Sequence, residues 1–97
     1  MDFPIRWSPK AASHFEQICE YISQDSETYA SIFAKKLLSI IEDILPFPRI
    51  GRIVPEYNNP NLRERIHGNY RIVYRLKDGI IEIAAICHGA QLLEKVL

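Results

Sequence analysis

The dipeptide Asp78-Gly79 stands between two runs of alternating character, "NYRIVYRLK" and "IIEIAAICHG", and no other feature limits this chain's folding choices as strongly. Aspartate followed by glycine tolerates the positive φ angles that a two-residue hairpin needs to match the right-handed twist of its strands. So short a turn fixes register as well as topology. With Lys77 opposite Ile80, the pairs Leu76–Ile81, Tyr74–Ile83, Ile72–Ala85 and Tyr70–Cys87 share one face, the predicted core. The other face carries Arg75 opposite Glu82, Val73 opposite Ala84, Arg71 opposite Ile86 and Asn69 opposite His88.

Upstream, "LRERIHGN" supplies a third strand. A two-residue turn at Gly68-Asn69 would put Arg65 on the core face opposite Ile72, burying a guanidinium with little to compensate it. A three-residue loop, His67-Gly68-Asn69, instead pairs Ile66 with Tyr70 in the core and sets Arg65 opposite Arg71 and Arg63 opposite Val73 on the open face. This is the expected register, although it leaves Glu64 facing the core opposite Ile72.

The N-terminal half reads as helical. "FPIRW" is a short terminal strand in which Pro4 forfeits a ladder hydrogen bond. Ser8 is placed to cap the first turn of a helix, and Pro9 suits the first helical position, where its missing donor costs nothing. Ala11, Phe15, Ile18, Cys19 and Ile22 form one apolar stripe of a helix over 9–23. A second stripe through Tyr29, Phe33, Leu37, Ile40, Ile41 and Ile44 predicts a helix over 26–45, ended by Pro46. The short connector between them makes an antiparallel helical hairpin. The predicted fold is α+β: an N-terminal strand, then this helical hairpin packed on an antiparallel sheet of three to four strands, in one domain over residues 1–97.

Composition removes several function classes. No apolar run nears the roughly 20 residues of a membrane helix, and the N-terminus lacks a secretory signal pattern, so the expected compartment is the cytoplasm. The 12 basic residues are balanced by 12 acidic ones, leaving no global field to attract nucleic acid. Cys19 and Cys87 fall on core-facing positions and are expected as reduced thiols. Neither shows a metal-ligand spacing, and no cofactor or metal is implied.

Basic residues nevertheless concentrate between Arg49 and Lys77. On the predicted open face Arg63, Arg65, Arg71, Arg75 and His88 build a shallow basic surface. Like charges directly opposed, as expected for Arg65 and Arg71, destabilise a sheet unless an anion lies between them. His88, where its strand leaves the sheet, adds an imidazole able to give or take a proton. The turn-rich stretch "RIGRIVPEYNNPN" is expected as an ordered loop that presents Glu56. His14 on a helix surface and His67 in a turn carry less weight.

The order strand, helix, helix, three strands, with "VPEY", "LRERIHGNYRIVYR" and "IAAICHGAQLL", resembles the RelE/ParE superfamily of bacterial type II toxins over nearly the whole chain. The resemblance implies a growth-inhibiting, plasmid-stabilising toxin held by a cognate antitoxin, with operator DNA bound only through that antitoxin. Two activities occur in the superfamily. RelE- and YoeB-like members cut messenger RNA on the ribosome, and that pattern places a general base on Glu56, a phosphate-stabilising cation on Arg65 and a general acid on His88. ParE-like members instead poison DNA gyrase by binding, and their leucine-bearing tail resembles "HGAQLLEKVL". There Arg63, Arg71, Arg75, Leu92 and Leu93 become binding residues, Glu56 a loop carboxylate paired with a neighbouring arginine, and His88 a structural residue that anchors the tail. YoeB-like chains have a tyrosine after the terminal histidine where this chain has Gly89, so the ParE-like branch is the expected one. A third implication is a member that binds its antitoxin without being toxic.

Overall fold

Ser8 and Pro9 start the first helix as their chemistry requires: extended Ser8 (φ −67°, ψ 154°) accepts the Ala11 N–H at 3.0 Å, and Pro9 follows. The computed structural model describes residues 4–97, so Phe3 of the expected first strand lies outside the described residues. In chain order the elements are β1 (Ile5–Trp7), α1 (Pro9–Ser23), α2 (Glu27–Glu42), β2 (Arg52–Ile53), β3 (Leu62–His67), β4 (Tyr70–Lys77), β5 (Ile80–His88) and α3 (Leu93–Val96). The second helix stops three residues before its expected end. Ile44 and Leu45 donate to carbonyls three residues back, a tightening of the last turn that takes the chain into Pro46.

The strands form one sheet in the order β1-β5-β4-β3-β2, with β1 parallel to β5 and the other pairings antiparallel. The helical hairpin covers one face. There Ala11, Phe33, Leu37, Ile40, Ile41 and Ile44 meet Ile72, Tyr74, Leu76, Ile81, Ile83 and Ile86, with Phe15, Ile18, Cys19 and Ile22 packed at the margin. Tyr29, expected in this stripe, is 60% exposed, and the neighbouring Ala30 is buried in its place.

The Asp78-Gly79 turn is as expected: both residues have positive φ (53° and 73°), and Lys77 faces Ile80. The pairing holds through Leu76–Ile81, Arg75–Glu82 and Tyr74–Ile83, after which Val73 pairs with Ala85 and Ala84 is an extra residue on β5. This β-bulge inverts every later position of β5. Ile86 joins the helix-side core, whereas Ala85 and Cys87, expected there, turn to the opposite face. His88 lies opposite Tyr70, not Asn69. The bulge sits where β1 has ended, and α1 takes over the free edge of β5: Ser8 Oγ donates to the Ala84 carbonyl at 3.0 Å and Ile86 N–H donates to His14 Nδ1 at 3.2 Å. His14 is thus a structural acceptor at the edge of β5. Desolvation there, and Lys10 beside it, hold its pKa below the ordinary value.

The second correction concerns β3. His67 pairs with Tyr70, so the turn is the two-residue Gly68-Asn69, with Gly68 at φ +57° in the first central position. Arg65 therefore lies opposite Ile72 and Arg63 opposite Tyr74, on the helix side, while Glu64 lies opposite Val73 on the far side. The expected register would have buried Glu64 among aliphatic side chains, whereas the observed one places it between two guanidinium groups.

The far face is not open. Val54, Leu62, Val73, Ala85, Cys87 and Leu93 form a second, smaller buried cluster, closed by Val96 and Leu97 of the C-terminal segment. Both cysteines are free thiols; Cys87 is buried in this second cluster, and burial raises its pKa.

A charged cluster at the end of the sheet

Tyr74 explains how the loop before β2 is held. Its ring is fully buried, its hydroxyl donates to the Pro48 carbonyl at 2.8 Å, and the Gly51 N–H donates to that same oxygen at 2.9 Å. Gly51 is required by this approach, since a Cβ there would come within 2.7 Å of the phenol oxygen and 2.6 Å of the Glu64 carbonyl. The loop therefore enters β2 at a fixed place and sets Arg52 opposite Glu64.

From there a chain of charges crosses the far face. Arg52 Nε and Glu64 Oε2 lie 2.6 Å apart, and Glu64 Oε1 is 2.6 Å from Arg71 Nε. The Arg71 terminal nitrogens grip Glu56 in a two-point clasp, at 2.6 and 2.8 Å. The Glu64 carboxylate is fully buried and the Arg71 side chain only 10% exposed, and such a pair holds only when its charges and lone pairs are matched. Arg71's hydrogen bonds hold the Glu56 carboxyl at about 2, well below the carboxylate range, and the two glutamates raise the pKa of Arg71 in turn.

A depression of about 410 Å³ opens beside the cluster, lined by Arg52, Glu56, Tyr70, Arg71 and His88 among others. His88 stands edge-on to Tyr70, ring centroids 5.6 Å apart at 82°. Its Nδ1 accepts the Ala90 N–H at 3.2 Å, and the His88 backbone N–H donates to Gln91 Oε1 at 2.8 Å, bonds that turn the chain out of the sheet. A second depression, about 390 Å³, runs on past Glu56 and Arg71 to Tyr57 and Leu92, whose side chains are 44% and 60% exposed.

The structure thus brings Glu56, Arg71 and His88 to one end of the far face and leaves other sequence-selected residues elsewhere. Arg65 is on the helix side of β3, away from Glu56; the 5.6 Å ring contact of its same-face neighbour His67 with Phe33 of α2 marks that side. Arg63 braces the loop, donating to the carbonyls of Pro60, Arg49 and Gly51. Arg75 pairs with Glu82 at 2.7 Å, as its register predicts. Leu93 is 2% exposed and fills the second core, so of the two tail leucines Leu92 alone faces solvent. Arg52 and Glu64 were not among the residues selected from sequence. The signal for them was Gly68, whose place in a two-residue turn sets the face on which Glu64 lies.

Chemically, the cluster is a rigid zwitterionic surface. A general base must be free to take a proton and is best matched to the working pH, whereas Glu56 is a clasped, strongly acidic carboxyl. Arg71 would be the cation near a bound phosphate, but its guanidinium is engaged by two carboxylates.

A toxin-like fold is what this arrangement of helical hairpin, sheet and covering tail defines. It aligns with a solved structure from the chromosomal ParDE toxin–antitoxin system of P. aeruginosa at a TM-score of 0.72 and 18% identity, over 89% of this chain and 95% of that one. It also aligns with a chain of the RelBE2 toxin–antitoxin complex of Mycobacterium tuberculosis, at a TM-score of 0.58 and 18% identity, over 91% and 99% of the two chains. No curated protein matches the sequence. Residues 5–93 match the family model described as the ParE toxin of the type II toxin–antitoxin system parDE, and the chain belongs to that family of type II toxins. Among the described residues no helix is long and apolar enough to cross a membrane.

Proposed function

We propose that this chain, as one toxin domain over residues 1–97, arrests bacterial growth in the cytoplasm by binding DNA gyrase, and that a cognate antitoxin neutralises it. Membership of the ParE family supports the gyrase target, and the toxin–antitoxin assemblies of the aligned structures support the antitoxin partner. Operator DNA is then met through the antitoxin. The observation that favours binding over RNA cleavage is the separation of the catalytic set. Arg65 lies across the sheet from Glu56, and Glu56 is clasped by Arg71 with its pKa held at about 2. The contact surface is the depression bordered by Tyr57 and Leu92, where exposed apolar side chains flank the charged cluster.

The test is purified gyrase challenged with this chain, read by plasmid supercoiling, alongside transcript mapping after brief expression. Loss of supercoiling with intact messages is the expected result. Codon-phased cuts in translated messages that vanish in His88→Ala would replace this reading with ribosome-dependent RNA cleavage.

A further inference from the structure

The two sides of β3 treat their arginines differently. On the far face Arg52, Arg71 and Arg75 each pair with a glutamate. On the helix side Arg63 and Arg65, joined by Arg49 from the preceding loop, make no ion pair with a carboxylate among the described residues. They are near one another: Arg49 Nη1 and Arg63 Nε both donate to the Pro60 carbonyl, at 3.3 and 2.8 Å, and all three cations act on the Tyr74 hydroxyl. Arg65 Nη1 is buried and has no hydrogen-bond partner. A buried charged donor left without an acceptor is unfavourable, so this edge carries an electrostatic cost that an anion placed beside it would offset.

We propose that the arginine edge formed by Arg49, Arg63 and Arg65 is a docking site for an acidic peptide segment that also carries apolar side chains. The inference rests on the toxin reading, in which the segment belongs to the antitoxin. Charge complementarity supplies the anionic half of the recognition. The apolar half comes from Phe47 and Ile50, which flank Arg49 in sequence and are 66% and 46% exposed. A peptide fits this mixture better than a nucleic acid does, because the chain as a whole is neutral and lacks the field on which phosphate-backbone binding depends. Arg63 is the framework of the site, since its guanidinium spans three loop carbonyls. Arg49 and Arg65 have the capacity to accept a new carboxylate.

The probe is a labelled peptide alternating glutamate with leucine, titrated into the full chain by fluorescence anisotropy, with its glutamine counterpart and a labelled oligothymidylate in parallel. The acidic peptide is expected to bind, with affinity falling as salt rises. Arg49→Gln combined with Arg65→Gln should weaken it at least about tenfold, or about 1.4 kcal/mol, while Arg6→Gln, an exposed charge-matched control on β1, leaves it unchanged. A thermal melt verifies folding, and exposed Arg49→Gln alone gives the same reading should the double variant not fold. Undiminished binding by the variant, equal binding of the glutamine peptide, or tighter binding of the oligothymidylate would overturn the proposal. Growth arrest by the unmodified chain is scored separately. Its absence would remove the toxin reading, whereas the arginine edge stands or falls on the titration.

Discussion

The two faces of the sheet are stabilised in different ways. Under the helical hairpin, Leu37, Ile72, Tyr74, Ile81 and Ile83 are all fully buried, and the Tyr74 hydroxyl among them is satisfied by Pro48 and Gly51. The far face divides between a small aliphatic cluster under the C-terminal segment and a run of four charges from Arg52 to Glu56. Aliphatic packing is tolerant of detail and supplies most of the free energy of a small domain. Paired buried charge supplies little net stability but is intolerant of losing one partner. The helix side therefore holds the fold, and the far side holds one surface geometry.

The largest expected effect tests the first half of that contrast. Tyr74→Ala removes a fully buried ring and both hydroxyl contacts with the loop, and should cost about 3–5 kcal/mol in chemical denaturation. A near-neutral result would show that the loop before β2 is held by something other than Tyr74. Next in size is Glu64→Gln, which leaves Arg71 half-matched in a buried setting and should cost about 3 kcal/mol. Were it harmless, the charged run would be surface decoration and not a rigid cluster. Leu93→Ala should cost about 2 kcal/mol, at the low end for leucine truncation because a four-residue terminal helix can settle into the space. If it instead matched Leu37→Ala, the C-terminal segment would be as integral to the fold as α2.

What could be read from sequence follows the same division. Helix starts, the apolar stripe of α1 and the Asp78-Gly79 turn are local, each set by a few neighbouring residues, and each is found where the pattern puts it. Registers further from the turn depend on tertiary balance. Ala84 and Ala85 give no side-chain signal for the bulge that exchanges the faces of Ile86 and Cys87; the cause lies in Ser8 and His14, some 70 residues away, binding the β5 edge. Likewise, with β3 and β4 alone in view, the burial of Arg65 argues against the two-residue turn at Gly68. Its gain, a carboxylate placed between Arg52 and Arg71, needs a partner from β2 that sequence alone does not align. Of the site, Glu56 is legible as a loop carboxylate and His88 as the residue at which β5 leaves the sheet. The resemblance implies a pairing of Glu56 with a neighbouring arginine, and the structure supplies the partner that the sequence does not name, Arg71.

The smallest expected effect sharpens the contrast most directly, since it asks whether the clasp matters near neutral pH. The Glu56 carboxyl is lowered from 4.5 to about 2, chiefly by hydrogen bonds from Arg71. A carboxyl whose pKa falls on folding adds stability above its unfolded value, and that stability is lost as the pH drops through the folded one. The contribution is thus present above about pH 4.5 and fades toward pH 2. Glu56 is 45% exposed, so solvent and salt screen the pair and its size at neutral pH is small. Glu56→Gln should leave neutral-pH stability nearly unchanged in physiological salt and reduce the acid-side loss between those limits, as read from denaturation midpoints across pH. Glu64 is the contrast, buried where Glu56 is not, and Glu64→Gln should be costly at neutral pH whatever the salt. If both variants behaved alike, the four charges would act as a single unit, and the exposed end of the cluster would be as rigid as its buried centre.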